Sequence, residues 1–386
     1  MNIKMKFGQL YEICLDITNR CAMSCIHCSS FGPLTSREEM SFRDIQQVLV
    51  DFASLGGSVV DISGGEPTMR RDLHRIIRYA NSLGLETRLY TSGIVFGRNG
   101  KAVSIDSRMS QELKNSGVDK VILNLQGARK ETHERVTRCR GSFSSVNKSI
   151  AMLKSMGIWV GVHFVPMKPN FSELADVARL CISQGVDELG ILRFVAQGRG
   201  EVNKRNLELD RYEFKRLIEG IIGLKRLLSR SIEIRVGRPL DFCSILDNFR
   251  LPLICNAGVS TCLIKPNGEV VPCPAFKQNP HYIAGNVLKR SFKDIWNQSP
   301  ILKAFREFQY EKLSGPCSEC LYLTVCRGRC AAQRILHFHG MYNGPDPQCF
   351  LGKMEDLQST MVVSRKESLP SNTENQALAR TTRPKQ

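Results

Sequence analysis

Apolar residues recur along the first two thirds of the chain in two alternating rhythms. Short runs rich in β-branched and aromatic residues read as strands: YEICLDIT (11–18), SVVDIS (58–63), ETRLYTS (86–92), KVILNLQ (120–126), WVGVHFV (159–165) and ELGILRF (188–194). Between and after them, apolar positions three and four apart predict helices over 41–55, 73–83, 110–116, 142–156, 171–184 and 211–229. Such an alternation implies a parallel sheet with right-handed crossovers. Six repeats are too few to close an eight-fold barrel. The expected fold class is α/β, a partial (β/α)6 TIM-type barrel over 8–237, with function at the loops that follow the strands. In the first strand Glu12 and Asp16 alternate with Ile13, Leu15 and Ile17, so the carboxylates are expected to face the lumen.

Beyond about residue 238 the helical rhythm gives way to short hairpin signals and eight cysteines from Cys255 to Cys349. The segment TCLIKPNGEVVPC predicts a hairpin turning at Asn267-Gly268, which sets Cys262 opposite Cys273. A small cysteine-rich domain over 238–352 has too little core to stand without a staple. The polar stretch 364–386, with two prolines, is expected to be disordered.

Composition narrows the chemistry. No run of about 18 apolar residues exists to span a membrane, and the N-terminus lacks the apolar centre of a signal peptide. The expected location is cytoplasmic. Fifteen cysteines in a reducing compartment are not a disulfide scaffold, so metal or iron–sulfur ligation comes first. The net charge of +17 fits an acidic partner, although cluster-bound thiolates would offset part of it. No aromatic-rich basic motif of the common RNA-binding modules is present.

Directly after the first strand, NRCAMSCIHC places Cys21, Cys25 and Cys28 in a C-x3-C-x2-C spacing. Three close thiolates can hold three irons of a cube and leave the fourth iron open. The same spacing admits zinc with His27 as fourth ligand. The second strand ends in SGGEP, where Gly64 and Gly65 permit close approach to the backbone. Glu66 can accept from an ammonium group, and Pro67 closes the motif; a plain turn would read the same way.

Taken together, the two motifs resemble the radical S-adenosylmethionine (SAM) superfamily, with His27 at the usual aromatic position. The resemblance implies a SAM-binding 4Fe-4S cluster on Cys21, Cys25 and Cys28, with Gly64, Gly65, Glu66 and Pro67 at the SAM amino group. It implies reductive cleavage of SAM to methionine and a 5′-deoxyadenosyl radical that takes a hydrogen atom from substrate. Asn124, in the family's "SLDG"-like position, and Arg135, toward the SAM carboxylate, are further candidate contacts. Gln126, Thr91, Ser92, His163 and Arg193 also fall at strand ends; capping or packing roles would place them there equally.

In the second segment GPCSECLYLTVCRGRC reads C-x2-C-x5-C-x3-C across Cys317, Cys320, Cys326 and Cys330. Cys255, then Gly268 and Cys273, lie upstream, and Cys349 lies downstream. This order resembles the SPASM domain, which implies two auxiliary 4Fe-4S clusters; paired zinc sites are the competing reading. The family pattern gives Cys317, Cys320, Cys326 and Cys349 to the outer cluster. It gives Cys255, Cys273 and Cys330 to the inner one, with Cys262, or alternatively Cys243, as fourth ligand. The surrounding sequence resembles the maturase group that includes the mycofactocin and pyrroloquinoline quinone maturases, which act on ribosomally made peptides. A small metabolite such as a tetrapyrrole or a sugar is the alternative substrate class. A zinc-bearing nucleic-acid-binding protein is the non-enzymatic alternative.

The remaining cysteines have simpler readings. Cys14 and Cys181 fit as small buried hydrophobes, and Cys139 between two arginines as a spare thiol. With the cluster loop beginning at Cys21, a precursor peptide is expected to need a separate leader-recognition protein or to dock directly. Cleavage of SAM also needs an electron donor, and flavodoxins and ferredoxins are typically acidic. Their reduction of this protein is expected to slow steeply as ionic strength rises. A stopped-flow rate indifferent to salt would remove the electrostatic docking.

Overall fold

Alternation along the first strand decides the two faces of the sheet. In β1 (Glu12–Thr18), Ile13, Leu15 and Ile17 are fully buried under the helices, and Asp16 turns to the opposite face. The computed structural model describes residues 9–30, 39–96, 102–237, 240, 255–337 and 344–350. The parallel series continues through β2 (Val59–Gly64) and β3 (Glu86–Thr91). A separate hairpin of β4 (Ile94–Phe96) and β5 (Ala102–Ser104) follows, and then β6 (Lys120–Asn124), β7 (Trp159–Phe164), β8 (Glu188–Ile191) and β9 (Glu233–Val236). The cysteine-rich part adds β10 (Thr261–Ile264), β11 (Glu269–Val271) and β12 (Gly285–Asn286).

Among the described residues the main sheet runs β12-β11-β10-β1-β2-β3-β6-β7-β8-β9. It is parallel from β10 to β9 and antiparallel through β11 and β12. The six expected strands are all present; β9, which was not expected, flanks them on one side, and β10, an arm of the expected hairpin, flanks them on the other. β9 is a short edge strand. β10 lies parallel to β1, Glu12 opposite Thr261 and Leu15 opposite Ile264. It covers the edge that a partial barrel leaves open, so both halves of the chain share one sheet.

The helices follow the apolar periods. α1 (Phe42–Ser54) opens on a Ser41–Asp44 capping box and buries Ile45, Val48, Leu49 and Phe52. After it come α2 (Leu73–Ser82), α3 (Ser107–Ser116), α4 (Lys130–Thr137), α5 (Ser142–Ser155), α6 (Leu174–Ser183) and the long helix Arg211–Leu228. Of these, only α4 was not expected. No helix among the described residues is long and apolar enough to cross a membrane. The expected boundary at residue 238, the alternative ligand Cys243 and the tail 364–386 lie outside the described residues.

The β10–β11 turn corrects the expected hairpin. Gly268 N donates to Lys265 O at 2.9 Å, Lys265 N donates to Glu269 O at 2.8 Å, and Gly268 has φ +83°. The loop therefore has three residues, Pro266, Asn267 and Gly268, in a type I turn completed by a left-handed glycine. Leu263 pairs with Val271 and Ile264 with Val270. Extending this register puts Cys273 across from Thr261, not from Cys262. One residue of slip exchanges sheet faces. Cys262 joins Ile264 and Val270 in the main core, whereas Cys273, Cys255 and Cys330 pack beside Leu263 and Val271 on the other side.

The end of β2 lies directly on the backbone that leaves β1. Gly65 N donates to Thr18 O at 2.7 Å and Glu66 N to Arg20 O at 2.8 Å. A Cβ on Gly65 would stand 2.2 Å from Arg20 O, and one on Gly64, at φ +136°, 2.3 Å from Thr18 O. Backbone pressed on backbone excludes any side chain here. Gly65→Ala is expected to displace the loop carrying Cys21, Cys25 and Cys28 and to lower iron retained per chain severalfold after anaerobic reconstitution. Gly220→Ala, in open space on the long helix, should retain the wild-type iron content.

Candidate functional site

The loop after β1 is held from several sides. Ile26 N donates to Val136 O at 2.9 Å, which ties the loop to α4. Gly200 N donates to Cys28 O at 3.2 Å, Arg199 Nε to Cys25 O at 3.0 Å, and Asn203 Nδ2 to Ile26 O at 3.2 Å. This anchoring crowds three thiols together. Burial pushes the Cys21 thiol up to about 11, with the charges of Glu66 and Cys28 acting the same way. Burial, then Cys28 and Cys21, drives Cys25 higher still. A positive centre bound by all three would reverse that repulsion. Among the described residues only Glu12, Cys14 and Asp61 bring three ligand atoms within 4.8 Å of one another. The cysteine trio stands wider apart than the ligands of a single zinc ion, so the donor set fits a multi-iron cluster better.

The SGGEP segment divides its work differently from the expectation. Ser63, Gly64 and Gly65 line the cavity next to the cysteines; Glu66 and Pro67 do not. The Glu66 carboxylate is buried and accepts from Thr91 Oγ1 at 2.7 Å, Ser92 N at 2.8 Å, Ser92 Oγ at 2.5 Å and Thr68 Oγ1 at 2.8 Å. It ties the ends of β2 and β3 together rather than offering itself to an ammonium group. Pro67 is itself buried and starts the turn Pro67–Met69.

The other strand-end candidates separate in the same way. Asn124 reaches the cavity wall. Arg135 is exposed on α4, donates to Pro169 O at 3.0 Å and lies off the wall, contrary to its expected place at a SAM carboxylate. Arg193 lines the cavity, yet its fork is taken by Asp346 at 2.5 and 2.6 Å and by Gln348 at 2.9 Å. His163 sits below the wall, 3.2 Å from Arg235.

Three buried nitrogens on the wall have no hydrogen-bond partner: His27 Nδ1, Gln126 Nε2 and His133 Nε2. His133 Nδ1 accepts from Gln126 N at 3.1 Å, so the proton of the neutral ring is on Nε2 and available to donate. Gln126 Oε1 accepts from Val165 N at 3.2 Å, leaving its amino group free. Burial holds both histidines neutral, near a pKa of about 4. Buried polar atoms without partners are rare in native structures. These match a polar ligand such as SAM. Of the three, His133 was not singled out by sequence reasoning; its only signal was a histidine in the segment after the fourth expected strand.

Across the cavity, Cys255, Cys273 and Cys330 line the same space, about 990 Å³ in volume. Burial, then Cys255 and Cys330, pushes Cys273 well up, and burial with Cys255 pushes Cys330 up to about 12. A second set lies outside it. Burial, Cys349 and Cys326 raise Cys317 to about 12; burial raises Cys326 to about 11, with Cys349 adding and Arg329 opposing. In each set, the shifted thiols are raised in part by other members of the same set. Cys262 belongs to neither. It lies fully buried across from Ile13, near Cys14, and the charge that acts on it is Arg306.

Residues 15–181 match the radical SAM superfamily, and residues 255–321 match SPASM, an iron–sulfur cluster-binding domain. The mycofactocin maturase MftC of Mycobacterium ulcerans is 30% identical over 346 residues, 88% of each chain. The PqqA peptide cyclase of Methylocella silvestris is 27% identical over 370 residues, 95% of this chain and 94% of the relative. In fold, the crystal structure of Streptococcus suis SuiB bound to its precursor peptide SuiA is similar at a TM-score of 0.71 and 19% identity, over 89% of this chain and 76% of that one. The chain belongs to the radical SAM superfamily: it is a SAM-dependent iron–sulfur enzyme whose partial barrel is joined to a SPASM domain.

Proposed function

We propose that this enzyme removes a hydrogen atom from a residue of a ribosomally made precursor peptide. The observation that carries this reading is the single cavity shared by Cys21, Cys25 and Cys28 on one side and Cys255, Cys273 and Cys330 on the other. At about 990 Å³ it stands at the upper end of small-molecule sites. The likeness to two peptide-modifying relatives supports the same substrate class. A four-iron cluster with SAM, when bound, supplies the oxidant for hydrogen abstraction.

The chain's own residues perform the rest. Cys21, Cys25 and Cys28 would hold the SAM-binding cluster, with Ser63, Gly64 and Gly65 placing backbone beside it. Gln126 Nε2 and His133 Nε2 donate toward the cofactor, and Asn124 completes that side of the wall. Met23, Ile94, Val165, Leu192 and Phe194 line the space with apolar surface, which keeps water from a reactive intermediate. Cys255, Cys273 and Cys330 would hold the inner auxiliary cluster, the acceptor for the electron left on oxidised substrate. Of the two cysteines considered for its fourth ligand, Cys243 is favoured, because Cys262 faces the opposite side of the sheet. Cys317, Cys320, Cys326 and Cys349 would hold the outer cluster. An acidic flavodoxin or ferredoxin and a leader-recognition protein are the partners this reading calls for.

Anaerobic reconstitution is expected to give about twelve irons per chain, counting three four-iron clusters. Wild type should release 5′-deoxyadenosine from SAM under reduction, and the Cys21→Ala/Cys25→Ala/Cys28→Ala variant none. Zinc in place of iron would overturn the site. Cys262→Ala should keep the full iron count, whereas Cys330→Ala should lose about four; equal losses would restore Cys262 as a ligand. Co-expression with short peptides encoded beside the gene, read by mass spectrometry, tests the substrate class. A mass change in one peptide supports it, and turnover of a porphyrin or sugar without any peptide change refutes it.

A further inference from the structure

One charged side chain crosses from the cysteine-rich half into the barrel and is used by nothing described so far. Lys277 Nζ lies 2.6 Å from Asp16 Oδ2, and both side chains are at least nine-tenths buried. Neither residue lines the cavity, so neither is placed to touch substrate. Burial opposes the charge on Lys277, but Asp16 outweighs it and raises the pKa, with Cys28 and then Cys14 adding to the effect. The ammonium is fixed on β1, and the next residue, Gln278, bonds the SAM-cluster loop at Ser29 O.

The segment that carries Lys277 is rigidly seated. It begins at Cys273, passes through the turn Pro274–Phe276, and is anchored by Phe276 against Tyr282 and Phe305, at ring separations of 4.6 and 5.4 Å. Gln197 Nε2 donates to Pro274 O at 3.2 Å, Gln278 N donates to Gln197 Oε1 at 3.3 Å, and Gln278 Nε2 donates to Ser29 O at 3.0 Å. Ser29 is the residue after Cys28. Three residues of chain, Pro274 to Phe276, therefore separate a thiol of one cysteine set from a cation held beside the loop of the other.

We propose that Lys277 is a positioning residue that sets the reduction potential of the SAM-binding cluster, with Asp16 holding its ammonium in place and partly offsetting its charge. The proposal rests on the assignment of Cys21, Cys25 and Cys28 to that cluster. A cation near a cluster favours the more negative, reduced form, and a nearby anion disfavours it. Through Lys277 the auxiliary domain acts on the barrel's cluster electrostatically, besides packing against it.

The test is an EPR-monitored redox titration of reconstituted enzyme, following the signal that changes when SAM is added. Lys277→Met is expected to shift the midpoint to more negative potential, Asp16→Asn to more positive potential, and the double variant to return close to wild type. Lys277→Arg, which keeps the charge, should stay near wild type. A purely structural latch would move both single variants in the same direction, and that result, or no shift in either with the cluster present, would overturn the proposal. A wild-type protein with no SAM-responsive signal would overturn the cluster assignment itself, and the proposal with it.

Discussion

Burial, together with the charge of neighbours around the same short loop, raises the pKa of the Cys21 and Cys25 thiols, and a positive centre bound there with Cys28 would let them exist as thiolates. Much of the fold can be read as holding that loop in place. The glycine pair at the end of β2 brings backbone onto backbone beneath it. Glu66 locks β2 to β3 so that this contact cannot drift. Arg199, Gly200 and Asn203 clamp the loop from the far side through its own carbonyls. Of the side chains expected to meet the cofactor, Glu66 is scaffolding and Arg135 lies off the cavity wall, while Asn124 reaches it.

The second consequence is that the two cysteine-bearing halves are not free to move independently. β10 extends the barrel sheet in parallel, so the auxiliary hairpin is continuous with β1. Buried contacts reinforce the seam: Arg193 with Asp346, Lys277 with Asp16, and Gln333 Nε2 donating to Phe194 O at 3.0 Å. Truncating one partner of such a buried ion pair typically destabilises by about 3–5 kcal/mol, because the other charge is left uncompensated. The wall carrying Cys21, Cys25 and Cys28 and the wall carrying Cys255, Cys273 and Cys330 are thereby held in a fixed relation across the cavity.

Much was legible without coordinates. The two apolar rhythms revealed six strands and their helices, because a strand alternates and a helix repeats at 3.6 residues whatever lies around them. The cysteine spacings identified both ligand-bearing segments, because ligands on one short loop must be close in sequence. Local information failed where a single residue of geometry mattered. Asn267-Gly268 looked like a two-residue turn, but Pro266 joins the loop; the register slips by one, and Cys262 passes to the opposite face.

What the amino-acid order determined by itself, then, was the β/α alternation, the two cysteine constellations and the chemistry of their donors, all carried by neighbours along the chain. Tertiary structure decided what depends on distant segments meeting. β10 covers the edge of β1, Arg135 points away while His133 points in, Glu66 is spent on Thr91 and Ser92, and Lys277 reaches Asp16. None of these has a sequence signature, because most pair residues tens to hundreds of positions apart, and burial, not spacing, selects the partner.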